Sequence, residues 1–427
     1  MPVVHEVGSE ALTTRMRDVL YLSYDGLTDP LGASQVLPYL VGLARLGYRF
    51  TVLSFEKPDR FRLNEASVRA ACIEAGIDWR PKPYTKWPPV ASTVFDLTQM
   101  RRAAFDLHAE KKFSLVHARS VLAAMTGRAL KRAKGVRFIF DIRGFWAHER
   151  VDGNLWNLKN PLYRVVFSTV RHQEDACYES ADRVVSLTHK AKAEILSWSS
   201  LRGQPLSVDV IPCCVDLDLF DPERIDAEQK ADAKRSLGVE ADAFVLSYLG
   251  SIGTWYMLPE MLAFFARLLL RRPDAVMLFV TQDDADAIRR EATRQSIPAS
   301  KIVVRSAQRA EVPLLVALSD YSLFFIKPLY SKMASSPTKQ GEVMAMGVPI
   351  VCNAGIGDTD QILEKYDAGV LVPRFESSAY DAAIEAMLRP NESHSTNARN
   401  GAREWFSLAR GIDRYRALYE GLVGAGA

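Results

Sequence analysis

Short β-branched or aromatic runs alternate with longer amphipathic stretches along almost the whole chain, and this alternation leaves few folds open. In the first half the runs are Val19–Ser23, Phe50–Ser54, Ser114–His117, Arg137–Asp141 and Arg183–Leu187. In the second they are Phe244–Leu249, Val276–Thr281, Ile302–Val304, Ser322–Ile326, Pro349–Cys352 and Gly369–Val372. Helical patterns such as Gln35–Leu46, Val121–Arg132, Leu258–Arg271 and Asp381–Leu388 fall between them. Alternation of this kind predicts parallel sheets covered by helices on both faces. Such sheets bind ligands beyond the carboxyl ends of their strands. At 427 residues the chain exceeds one ordinary core, so two domains are expected. The pattern breaks once, at Ser197–Ala227, where Gly203, Pro205, Pro212 and Pro222 surround a short strand, Val208–Pro212. The reading is therefore an α/β protein with a frayed leader at 1–16, a first domain at 17–213 and a second at 214–405. A last helical segment, 406–427, has no strand after it and is expected to pack back across the cleft.

Composition narrows the function. Apolar content of 48% and charged content of 25% are those of a soluble globular protein. A net charge of +3 carries no general field for nucleic acid. The five cysteines are dispersed, and Cys213 and Cys214 are adjacent, which suits neither a disulfide nor a zinc site. A reducing, cytoplasmic setting is expected. The N-terminus carries Glu6 and Glu10 without an apolar core, unlike a signal peptide. No run approaches the roughly 18 apolar residues of a membrane span. No metal-ligand set appears, nor a Walker loop, a G-x-S-x-G elbow or a G-x-G-x-x-G fingerprint. Asp283–Asp284 reads as an acidic helix start.

The chemistry concentrates in S-S-P-T-K-Q-G-E-V-M-A-M-G-V-P, residues 335–349. Ser336 precedes Pro337, which is pre-set for the first position of a helix. The free N–H groups of that helix start, near Thr338, would attract a phosphate. Glu342 follows one turn on as a carboxylate able to grip a diol, and Gly347 ends the helix. The competing reading is an ordinary amphipathic helix with Met344 and Met346 as core. Lys327, Lys332 and Lys339 cluster around it, cations able to stabilise a departing pyrophosphate. Gly32 follows the first strand and opens a small-residue helix start, while Gly250 and Ser251 follow the first strand of the second half. Two such turns would face each other over a cleft. At the end of another strand lies F-D-I-R-G-F-W-A-H-E-R, where Asp141 and Arg143 are costly unless they face a cleft or pair with each other. Trp146 offers a sugar-stacking surface, and His117 and Arg119 close the neighbouring strand. Arg60, Arg62, Trp79, Arg80, Lys82, Lys86, Trp87, Arg101, Arg102, Lys111 and Lys112 form a basic, aromatic set. It would suit anionic lipid or a lipid-phosphate acceptor, or be merely solvated.

These motifs resemble those of the GT-B glycosyltransferases, specifically the retaining family-4 (GT4) group, over roughly Asp18 to Leu422. The most specific pieces are S-P-T-K-x-x-E-x-M-A-x-G-x-P, L-G-A-S-Q, A-D-R-V-V-S-L-T, the second-domain glycine loop and V-I-P-C-C-V-D, which is similar to the family's interdomain V-I-P-N-G-V-D. The resemblance implies two Rossmann-like domains facing a cleft, with a C-terminal helix crossing back to the first. It implies that Glu342 holds the donor's ribose and that Ser336, Pro337 and Thr338 meet the diphosphate. Gly32 would face the donor's phosphates and the acceptor, and Asp141 would lie near the transferred sugar. The activity implied is metal-independent transfer from a nucleoside diphosphate sugar, a UDP sugar by expectation, to a saccharide or lipid-linked acceptor in glycan synthesis, with no cofactor. The alternatives within reach are a nucleotide-sugar 2-epimerase and a non-catalytic nucleotide-sugar-binding protein. The cell location expected is cytoplasmic, with peripheral contact at the inner membrane face. Three positions depart from the family pattern: Ala334 replaces an acid, the Arg and Lys after the second-domain glycine are missing, and Cys214 replaces a glycine.

Overall fold

The computed structural model describes residues 17–203 and 205–423; the leader expected at 1–16 and the last residues, 424–427, lie outside the described part. Thirteen strands form two sheets. The first contains β1 (Arg17–Ser23), β2 (Tyr48–Glu56), β3 (Asp78–Pro83), β4 (Leu115–Arg119), β5 (Arg137–Asp141), β6 (Arg183–Ser186) and β7 (Val208–Val210). Its order is β3-β2-β1-β4-β5-β6-β7. The second contains β8 (Val245–Leu249), β9 (Val276–Val280), β10 (Ile302–Arg305), β11 (Tyr321–Phe324), β12 (Ile350–Asn353) and β13 (Gly369–Val372), ordered β10-β9-β8-β11-β12-β13. Every ladder in both sheets is parallel. This is the doubly wound, two-domain architecture that the alternation predicts.

One strand escapes a reading by pattern. Asp78–Pro83, D-W-R-P-K-P, carries two prolines and two cations, which are tolerated because β3 is an edge strand. Val208–Val210, which the sequence places in a linker, is the opposite edge of the same sheet. Edge strands bury little, so they lack the apolar signature of the central ones. In the centre the signature is complete: all five residues of β8 and of β9 are buried. Helix Leu258–Arg271 covers them with Leu262, Phe264, Phe265 and Leu268 fully buried. Each such side chain contributes about 1.5–3 kcal/mol. The helix stops before Pro273, which excludes helical geometry from the residue ahead of it.

The domains are joined by more than their linker. The Asp358 carboxylate accepts from the N–H groups of His189 (2.6 Å) and Lys190 (3.1 Å), so the second domain caps the first-domain helix His189–Ser197. Lys190 Nζ also pairs with Asp360 at 2.6 Å. Gly357 sits where a Cβ would lie 2.0 Å from Ser335 O, so no other residue fits that turn. Helix Leu408–Val423 returns to the first domain, setting Tyr419 against Tyr48 and Tyr415 against Tyr39.

The returning helix meets the first domain at Gly411, whose Cβ, if present, would lie 2.8 Å from Cys214 Sγ and 2.9 Å from the Tyr39 ring. Both neighbours are buried and held by hydrogen bonds. Gly411→Val is therefore expected to lower stability by about 1–3 kcal/mol through overpacking. Urea denaturation followed by tryptophan fluorescence measures it, and an unchanged midpoint would show that the helix is not seated on this contact.

Candidate functional site

A cavity of about 200 Å³ opens between the carboxyl ends of the two sheets. Its second-domain wall is the segment Ser335–Thr338 with Lys332, Trp255 and Tyr256; its first-domain wall includes Arg119, Arg143 and Gln35. Helix Thr338–Ala345 starts at this wall with Pro337 in the N-cap position and no side chain capping its amides. Those donors are left for a ligand, and the helix dipole favours an anion there. Ser336 Oγ is already engaged, accepting from the Cys213 N–H at 3.2 Å.

The remaining residues of the motif lie behind this entrance. Glu342 is buried and bound by the Arg309 guanidinium, which itself lies 4.8 Å from the Phe220 ring centroid. Lys339 is buried too, with Nζ donating to Tyr248 OH at 3.0 Å and lying 3.6 Å from the Tyr256 ring centroid. Burial holds this amine well below the ordinary lysine value, against the pull of Glu342 and Asp283. Lys332 bridges the domains through Glu149 at 2.8 Å and covers the Trp255 ring. Lys327 is exposed and does not line the cavity. Ala334 is fully buried among apolar side chains of the first domain, where an acid would have no partner.

The glycines divide by cause. Gly250 has φ +102° and lies 3.4 Å (at its absent Cβ) from Lys339 Nζ, so it lets the loop cross the lysine. Ser251 and the Ile252 N–H both donate to Asp283 at 2.7 Å, which makes Asp283 the brace of this turn rather than a mere helix start. Gly32 is required by its own chain: a Cβ would lie 2.1 Å from Gly26 O. It does not line the cavity, whereas Leu31 and Gln35 do. The turn before it is held by Glu56, whose carboxylate accepts from the N–H groups of Leu27 (2.8 Å) and Thr28 (3.1 Å).

In the first domain the structure separates residues that the sequence groups together. Arg119 and Asp141 are paired in register at the ends of β4 and β5. Arg119 and Arg143 line the cavity; Asp141 and His117 do not. Instead they face the returning helix, with Tyr415 OH donating to Asp141 Oδ2 at 3.0 Å and Tyr419 OH lying 2.6 Å from His117 Nδ1. Burial pushes the Asp141 carboxyl up, but Arg143, His117 and Arg119 together hold it below its ordinary value. Burial lowers the His117 imidazole. The pair is thus a neutral histidine beside a carboxylate, screened from the cavity by position. Trp146 is likewise away from the cavity, packed on Trp156 and under Arg150; the indole that lines it is Trp255.

Sequence reasoning missed Arg309, Glu56, Tyr248, Tyr256, Tyr415 and Tyr419. Tyr256 closes the second-domain glycine loop; none of the others stands in a recognisable motif, and only the fold brings them to the site. The basic set is also thinner than its composition suggests: Arg62 pairs with Asp59, Arg80 and Lys111 with Asp78, and Trp79 is buried.

Among the described residues no helix is long and apolar enough to cross a membrane, and no group of three or more His, Cys, Asp or Glu residues could hold a metal ion. The model of the glycosyl transferase 4-like domain matches residues 32–214, and that of glycosyl transferases group 1 matches residues 229–405. A D-inositol 3-phosphate glycosyltransferase of Segniliparus rotundus is 23% identical over 320 residues, 74% of this chain and 68% of that protein. Sucrose-phosphate synthase from Thermosynechococcus elongatus shares the fold with a TM-score of 0.73 and 18% identity, over 96% of this chain and 100% of that one. Anabaena HepE, solved with UDP-glucose, does so with a TM-score of 0.68 and 15% identity, over 95% and 99%. Two matched domains in the order of the two sheets, each opening its site at the strand ends, make this chain a transferase belonging to the GT-B glycosyltransferases of the family-4 type.

Proposed function

We propose that the protein transfers a sugar, with retention of configuration, from a UDP sugar to a hydroxyl of a saccharide or lipid-linked acceptor. The observation that carries this reading is the uncapped start of helix Thr338–Ala345 at the cleft, with Glu342 in the next turn. The diphosphate would meet the free amides and the ribose would meet Glu342, which then exchanges its bond to Arg309 for the diol. The departing phosphate oxygen would take the acceptor's proton, so no separate base is required. HepE is a neighbour solved with UDP-glucose, which favours uracil as the base. The relative's name, an inositol phosphate glycosyltransferase, favours a polyol or sugar hydroxyl as acceptor.

Binding and turnover test this directly. Glu342→Ala is expected to weaken UDP binding at least tenfold, about 1.4 kcal/mol, in calorimetry. Unaltered affinity and turnover would take Glu342 out of the site. In the wild type, UDP release should require an acceptor; release without one would point to the 2-epimerase reading.

Lys339 yields a prediction of defined sign. Its folded amine binds fewer protons than the unfolded one, so its contribution to stability rises with pH up to about 10.4. Lys339→Met should melt higher than the wild type at pH 7, with the gap closing toward pH 10 in thermal denaturation. A gap independent of pH would mean the lysine is charged in its tyrosine box.

A lipid-linked acceptor would be met at a membrane surface, and the first domain offers a contact. Trp87, Val94 and Phe95 are 76%, 59% and 54% exposed. Between Trp79 and Phe105 the only acid is Asp96, which is buried and accepts from Tyr24 OH and the Thr85 N–H. Exposed aromatic and aliphatic side chains beside Lys86, Arg101 and Arg102 suit anionic lipid. Sedimentation with phosphatidylglycerol vesicles at low salt should carry down the wild type but little of Trp87→Ser/Phe95→Ser. Equal recovery of both would remove this surface.

A further inference from the structure

A donor diphosphate brings charge that the protein must meet, and the second domain is short of cations to meet it. The turn after β8, G-S-I-G-T-W-Y, contains no Arg or Lys. Lys339 is enclosed by Tyr248 and Tyr256, and Lys332 is taken by Glu149. Lys327 and Arg309 are outside the cavity.

Across the cavity the position is reversed. The side chains of Arg119 and Arg143 are only 5% and 8% exposed. Among the described residues, Nε and Nη1 of Arg119 and Nε of Arg143 have no hydrogen-bond partner. The carboxylates beside them make only long ion pairs, beyond hydrogen-bond reach: Asp25, itself half exposed, is 3.9 Å from Arg119, and Asp141 is 3.7 Å from Arg143. Asp141 is moreover engaged by Tyr415. A buried guanidinium with unmatched N–H groups carries a desolvation cost that an anion in the cavity would offset. Position ties these groups to the donor side. Arg143 Nη2 lies 3.4 Å from Cys213 Sγ, and the Cys213 N–H donates to Ser336 Oγ at the start of the donor-side helix.

We infer that Arg119 and Arg143 of the first domain meet the donor's diphosphate across the cleft, in place of cations from the second. The inference rests on the reading of the donor as a UDP sugar and names the residues that answer its charge. In the reaction, the bond between the anomeric carbon and the β-phosphate oxygen breaks, and its electron pair stays on that oxygen. The acceptor oxygen bonds to the anomeric carbon, and its proton passes to the departing phosphate. The two guanidinium groups stabilise the negative charge that builds there. Because they belong to the opposite domain from the helix start, the leaving-group site is complete only when the domains are together.

Calorimetry with UDP and with uridine, which lacks the phosphates, tests this on the wild type, Arg119→Gln and Arg143→Gln. Each variant is expected to keep its uridine affinity and melting temperature and to lose UDP affinity at least tenfold. Wild-type preference for UDP over uridine that survives in both variants overturns the inference and leaves the donor reading standing. A wild type that binds no UDP overturns the donor reading itself, and the inference with it. Intact UDP affinity with a raised KM for the acceptor alone also overturns it, assigning the arginines to an anionic acceptor. Arg119→Lys and Arg143→Lys keep the charge but lose the planar fork. Should the Gln variants not fold, a threefold or larger loss of UDP affinity in the Lys pair supports the inference, and no loss overturns it.

Discussion

Because every strand in both sheets runs parallel to its neighbours, each domain gathers all its strand ends on one edge. Loops and helix starts that follow those ends carry unpaired backbone donors and polar side chains. Placing two such edges opposite each other brings the polar strand ends of both domains to one seam. The seam holds because Asp358, Lys332 and Asp152 bond across it to the N–H groups of His189 and Lys190, to Glu149 and to the Ser331 N–H. These contacts align the helix start of the second domain with the strand ends of the first.

Charge is distributed unevenly across that seam. On the second-domain side the cations near the cavity are paired, as Lys332 is, or enclosed by aromatic rings, as Lys339 is. On the first-domain side two guanidinium groups remain with open donors. Behind them the returning helix buries Tyr415 and Tyr419 over Asp141 and His117, so the strand ends are polar on two levels. One level faces the cavity, and on the other Tyr415 and Tyr419 each bond one atom of Asp141 and His117.

Much of this was legible in the residues. The central strands are buried on both faces and read as continuous apolar runs, and the helix start at Pro337 announced itself by composition. The edge strand Asp78–Pro83 was not legible, because edges bury little and admit proline, and the short strand at Val208 was legible as a strand but not as a sheet edge. Within the site, motif spacing located Ser336 to Glu342 and both arginines but could not assign facing. Asp141 and Arg143 are two residues apart, yet one turns to the returning helix and the other to the cavity. Gly32 looked like a residue making room for a ligand, and it makes room for Gly26 instead. Partners such as Arg309 and Tyr419 arrive from distant segments, and no local pattern marks them.

Arg143 adopts φ +54° and is followed by Gly144 at φ +140°. A left-handed backbone at a long side chain is held at an expense of roughly 1–2 kcal/mol, sustained only by well-packed surroundings such as fully buried Phe145 and Ile142. The direction of its guanidinium is consequently a property of the folded scaffold and not of whatever occupies the seam. A polyanion arriving there finds its counter-charge already oriented, so little rearrangement is left to oppose capture.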